Sequence, residues 1–217
     1  MADFPITERN RIVRVPGRAR YDETTIHSIL DEGRVCHVAF ADADGPVVVP
    51  MFYARRGSEL LVHGANKGRI TSLLESGATV SIAVTLLDGL VLARSAFHHS
   101  MNYRSVVLFG RGRRITDSDE IAEAVGVITD KVAPGRAADC RFPNAQELKA
   151  TAILAVEIES ASAKVRSGGP VDEPEDVTLP HWAGVVPMSV AFGEPLSDEH
   201  VTPGSELPGY LDPFRNR

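Results

Sequence analysis

The chain has 217 residues, of which 43% are hydrophobic and 24% charged, a balance that excludes disorder throughout and suits one domain with an extension. Its net charge of -6 is unevenly spread: residues 1–165 carry 20 acidic and 20 basic side chains, while residues 166–217 carry nine acidic against three basic. An acidic chain without a persistent basic face is a poor nucleic-acid binder, and no run approaches the roughly 20 apolar residues of a membrane span. The opening Met1-Ala2-Asp3-Phe4-Pro5 lacks the basic start and apolar run of a signal peptide, so a soluble cytosolic protein is expected.

In chain order, Arg9, Arg11, Arg14, Arg18 and Arg20 make residues 1–20 a basic arm. Asp22 can cap a helix to Glu32 with Ile26, Ile29 and Leu30 on one face and Gly33 as its stop. Val35 to Ala41 and Val47 to Ala54 read as strands joined by the turn residues Asp42 to Gly45. A strand from Glu59 to His63 leads into a short helix with Ile70, Leu73 and Leu74 inward. Further strands are expected at Ala78 to Leu86, at Leu90 to Ala93 after an Asp88-Gly89 turn, at Tyr103 to Ile115 and at Ile153 to Val165. Asp117 and Glu120 open a helix to Val132. Six or more strands in hairpins with only three helices predict a mainly β, α+β fold built on an antiparallel barrel rather than a doubly wound sheet. Residues 166–217 hold eight of the 14 prolines, which bars regular helices and predicts an extended acidic segment lying over a surface or swinging free.

Three places could carry chemistry. After His63, the run Gly64-Ala65-Asn66-Lys67-Gly68-Arg69 joins glycine flexibility to two cations at a helix start, which suits a phosphate. The same pattern fits a basic helix start on a solvated surface. In Asn102 to Gly110, alternation puts the hydroxyl of Ser105 on a face with Val107 and Phe109, where it could touch a flat heterocycle or bond to backbone. His98 and His99 are adjacent on extended chain and point opposite ways, so no metal site is expected. Cys36 reads as a packed small hydrophobe and Cys140 as a loop thiol, with neither a disulfide framework nor a CxxC pair.

Three motifs stand together: Val48-Val49-Pro50-Met51-Phe52-Tyr53, Leu61-Val62-His63-Gly64-Ala65-Asn66-Lys67-Gly68-Arg69-Ile70 and Asn102-Tyr103-Arg104-Ser105-Val106-Val107-Leu108-Phe109-Gly110. In this order they resemble the pyridoxamine 5'-phosphate oxidase-like flavoproteins, in particular their uncharacterised and nitroimidazole-resistance-type branch. The resemblance covers Tyr21 to Val165, and His181 to Pro187 is similar to the branch's closing segment, which implies that the tail packs on the barrel. It implies an FMN-binding split β-barrel with Greek-key-like connections, a homodimer with FMN at its interface, and a small-molecule substrate. By the same resemblance Lys67 and Arg69 hold the phosphate, His63 lies near the ribityl-phosphate end, Val49, Pro50 and Met51 line the isoalloxazine ring, and Ser105 meets its edge or the ribityl chain. The tail after Trp182 lacks the Arg-x-His type motif of the vitamin oxidases, so an oxidoreductase acting on another substrate is implied. A haem-binding split barrel with His63, His98 or His99 as axial donor, a non-catalytic flavin carrier and a deazaflavin enzyme are the alternatives.

Overall fold

The computed structural model describes residues 3–202 and 204–215. Its strands are β1 (Ala19–Arg20), β2 (Val35–Asp42), β3 (Gly45–Phe52), β4 (Ala54–Arg56), β5 (Glu59–Ala65), β6 (Thr79–Leu92), β7 (Ser100–Arg114), β8 (Thr151–Glu157), β9 (Ser160–Arg166) and β10 (Gly184–Pro187). The helices are α1 (Glu23–Glu32), α2 (Arg69–Glu75), α3 (Ser118–Val132) and α4 (Ala145–Ala150). All pairings are antiparallel, in the order β3-β2-β6-β7-β8-β5-β4, with β9 joined to β7, β1 to β9 and β10 to β6. The path ends at β3 and β4 and does not close, which is a split barrel. No helix among the described residues is long and apolar enough to cross a membrane.

Two-residue alternation decides what is inside. Cys36, Val38 and Phe40 of β2, Val80, Ile82 and Val84 of β6, and Val106 and Leu108 of β7 point into the barrel, where α1 adds Ile26, Ile29 and Leu30. Burying one such side chain contributes about 1.5 to 3 kcal/mol. Asp22 caps α1 by accepting from the Thr25 amide at 2.8 Å, and the buried Tyr53 hydroxyl donates to the Leu30 carbonyl at 2.6 Å near the other end. A second, smaller core lies outside the barrel wall: Leu61, Ile115, Ile153 and Ala155 pack beneath Ala124, Val125 and Ile128 of α3. Strand β8 is therefore covered on both faces, and its Ala152 to Val156 run is apolar without a break.

Two expected elements differ. Asp88-Gly89 does not end a strand: β6 runs on through a bulge between Leu87 and Gly89. The reason is β10, which pairs across this stretch with Gly89 opposite Pro187, so close that a Cβ on Gly89 would lie 3.0 Å from the Val186 carbonyl oxygen. Ile153 to Val165 is not one strand but two, β8 and β9, broken at Ile158 and Glu159 where the chain passes from one part of the barrel to the other. Helix α4 was absent from the sequence expectation, although Asn144 and Glu147 form a capping box there.

The tail is held at separate points. Asp172, with a side chain 4% exposed, accepts from the Arg94 amide and pairs with its guanidinium, both at 2.8 Å. Strand β10 follows, and Phe192 and Phe214 then meet edge to face with Arg34 above both rings. Trp182, within the segment expected to pack on the barrel, is 68% exposed, because β10 docks through its backbone on β6 and Trp182 precedes it.

Candidate functional site

The corner between β5 and α2 gathers the cations expected to meet a phosphate. Gly68 opens α2 without a side-chain cap, and its amide donates to the Ala65 carbonyl at 2.8 Å. Thr71 closes the turn by donating to the same carbonyl at 2.9 Å. Arg69 reaches from the first turn to Asp42, at the end of β2, with Nε 2.8 Å from Oδ2, and its guanidinium lies 5.8 Å from the centre of the Phe40 ring. That hydrogen bond is the main reason the Asp42 carboxyl sits below the usual carboxylate range. Lys67 is exposed beside it.

Strand β3 runs next to this corner at the open edge of the sheet. Val49 and Met51 are half-buried against the barrel core, whereas Pro50, opposite His37, faces outward. The three residues expected to line one ring are thus split across the strand, with the backbone of β3 common to both faces. Ser105 stands elsewhere, on the outer face of β7 between Thr85 and Lys164, with its hydroxyl 3.4 Å from the Lys164 carbonyl. This outer face carries the small residues Ala39, Ser81, Ala83, Ser105 and Ser162 among the larger His37, Val107, Phe109 and Lys164.

His63 is also outside the corner. It shares the outward side of β5 with Leu61 and is exposed over a groove walled by Val125, Ile128, Pro143, Leu148 and Ile153, with a cavity of about 240 Å³. Helix α3, through Asp117 accepting from the Asp119 and Glu120 amides, and helix α4 supply three of these walls. A single imidazole on an apolar wall is the donor set a haem uses. His98 and His99 stand in different surroundings: the His98 Nε2 lies 3.5 Å from Glu173, the His99 Nδ1 lies 3.0 Å from the Ser95 carbonyl, and both line an open, cationic cavity. Sequence reasoning missed that cavity and the apolar groove; Lys164 and Arg166, two apart on one strand, were the available sign of the first. Among the described residues no group of three or more His, Cys, Asp or Glu side chains could hold a metal ion directly.

The fold is a split barrel that sets a cationic corner and an apolar groove beside His63 on the same sheet. The sequence profile described as pyridoxamine 5'-phosphate oxidase matches residues 22–165, and the chain belongs to that family. It is similar over almost its whole length to the flavocytochrome Anf3 from Azotobacter vinelandii: 37% identity over 96% of this chain and 97% of that one, TM-score 0.89. It is similar also to the FAD and haem binding protein from Mycobacterium smegmatis, with 35% identity over 91% of this chain and 97% of the other and a TM-score of 0.86. A candidate 5-nitroimidazole antibiotic resistance protein from Bacteroides thetaiotaomicron shares the fold at 23% identity, over 68% of this chain and 86% of its own, with a TM-score of 0.56. No curated protein matches.

Proposed function

We propose that the protein is an electron-transfer flavoprotein that also carries haem, and that it works as a homodimer acting on a small-molecule partner. The observation that carries the reading is the likeness of nearly the whole chain to two proteins described as a flavocytochrome and as an FAD and haem binder. The residues suit both groups. Lys67 and Arg69 offer charge and a planar fork to the flavin phosphate, and β3 offers apolar side chains and backbone along Val49, Pro50 and Met51, for FMN or the equivalent half of FAD. His63 offers an imidazole nitrogen on an apolar wall to haem iron. A flavin accepts electrons in pairs or singly, and a haem passes them singly. The chain's part is to bind, orient and screen: Val125, Ile128, Leu148 and Ile153 give the His63 groove an apolar wall, and Arg69 anchors the ribityl end. The outer sheet face that carries Ser105, with Val107 exposed beside it, suits a second copy, which would bring Ser105 of one protomer towards the corner of the other.

The test is the absorbance spectrum of the freshly purified protein. Flavin bands together with a Soret band are expected, and His63→Ala is expected to lose the Soret band while keeping the flavin. A colourless protein, or a Soret band unchanged in His63→Ala, overturns the corresponding assignment. Light scattering is expected to give a dimer.

A further inference from the structure

On the outer side of the barrel, away from the α2 corner and from the His63 groove, three chain segments enclose a cavity of about 460 Å³. The N-terminal arm contributes Arg14 and Arg18, β9 contributes Lys164 and Arg166, and the turn before β7 contributes His98 and His99. No acidic side chain lines it. The carboxylates nearest to it are engaged: Asp172 with Arg94 and Glu173 with His98.

Arg166 sets the character of the place. It is 6% exposed, yet its hydrogen-bond partners are all neutral: the Asn102 side chain, the Gly168 carbonyl at 3.3 Å and the Gly169 carbonyl at 3.1 Å. Its Nε has no partner among the described residues. A buried guanidinium with no counter-charge is costly to maintain, and three further cations line the same cavity, so an anion bound there would relieve their mutual repulsion. At Val15 the arm takes a φ of 54°, a strained value for a β-branched residue, of the kind retained at functional sites. The rim adds two aromatic rings, Tyr103 and Phe97, and Phe97 is 88% exposed. Four cations beside an exposed ring match a diphosphate attached to a flat base.

We propose that this cavity binds the diphosphate of a nucleotide, with the phosphates among Arg14, Arg18, Lys164 and Arg166 and the base against Phe97. The inference stands on this cavity alone and does not need the Arg69 or His63 assignments. Two sources share the chemistry: a bound FAD, whose diphosphate would then lie here in place of the Arg69 corner, and a free dinucleotide that brings electrons.

Calorimetric titration of ADP and of adenosine into the purified full-length protein, wild type and an Arg14→Ala, Arg18→Ala double variant, tests it. Neither arginine has an ion-pair partner among the described residues, so the flavin-free double variant is expected to keep the melting temperature of the flavin-free wild type. If a free dinucleotide is the occupant, ADP binds, adenosine binds far more weakly, and the variant loses about tenfold or more for ADP, the size of one charge-assisted hydrogen bond. If FAD is the occupant, ADP fails to bind the purified protein, and the flavin-free variant loses at least tenfold for FAD while riboflavin affinity is unchanged. Failure of ADP to bind, joined to equal FAD affinity in wild type and variant, overturns the proposal.

Discussion

A Cβ placed on Gly110 would lie 1.8 Å from the carbonyl oxygen of Glu157. The contact marks the corner where β7 leaves β9 and takes up β8: Phe109 pairs with Ser160, and Gly112 with Val156. Neither strand can retreat, since both lie inside the sheet. Gly110→Ala therefore forces two backbones apart, and overpacking of a fixed core costs about 3 kcal/mol or more when relaxation is blocked. At about 2 to 4 °C per kcal/mol for a chain of this size, a fall of roughly 6 to 12 °C in melting temperature is expected. An unchanged melting temperature would show that the corner yields.

Asp172 is expected to matter more than its place in a proline-rich tail suggests. It satisfies both the amide and the guanidinium of Arg94, whose Nε is already buried without a partner. Asp172→Ala should cost about 2 kcal/mol, or roughly 4 to 8 °C by calorimetry. Asp172→Asn keeps an acceptor and should recover part of the loss. Equal melting of Asp172→Ala and wild type would make the tail a passive cover.

Helix α3 is tied to the barrel by charge as well as by apolar contact. Glu120 accepts from Arg113 and from Arg56, each at 2.6 Å, and these bonds, Arg113 first, lower its carboxyl pKa to about 2. Because the folded value lies below the unfolded one near 4.3, this stabilisation is complete above about pH 5 and fades as pH falls towards 2. Glu120→Gln should melt a few degrees below wild type at pH 7, and the gap should narrow below pH 4 and close near pH 2. A gap that stays constant from pH 7 to pH 2 would assign the loss to packing instead.

Local signals made the hairpin of β2 and β3 and the helices α1 and α3 legible: Asp42 to Gly45 turns the chain, and Asp22 and Asp117 cap as expected. The misread places are those where a distant segment decides. Asp88-Gly89 carries turn chemistry, but β10, almost a hundred residues on, holds it in a strand. The break between β8 and β9 depends on Gly110. The same holds for the sites. Lys67 and Arg69 are neighbours in the chain, so their corner could be read locally. The His63 groove exists only once α3 and α4 return to β5, and the basic cavity needs residues 14, 98 and 166 together.

The two ends of the Arg69 and Asp42 pair should respond with opposite signs. On the proposed assignment, Arg69 cannot give its full fork to a flavin phosphate while Asp42 holds Nε at 2.8 Å, so the carboxylate would compete with that phosphate. Arg69→Ala removes the phosphate contact and should weaken FMN by about 10- to 100-fold, while riboflavin, which lacks the phosphate, should bind as before. Arg69→Lys keeps the charge without the fork and should restore only part. Asp42→Asn leaves an oxygen for the Asp44 amide, which Asp42 Oδ1 now accepts at 3.0 Å, and so preserves the turn; with the competing charge gone, FMN should bind a few-fold tighter and riboflavin should not change. A solvated ion pair with no ligand role makes the opposite forecast, since breaking an exposed pair from either end has little effect. Fluorescence titration of FMN and of riboflavin into flavin-free wild type and the three variants separates the two. Loss of FMN affinity in Asp42→Asn as well as in Arg69→Ala would mean that the pair serves the turn, and that the phosphate sits elsewhere.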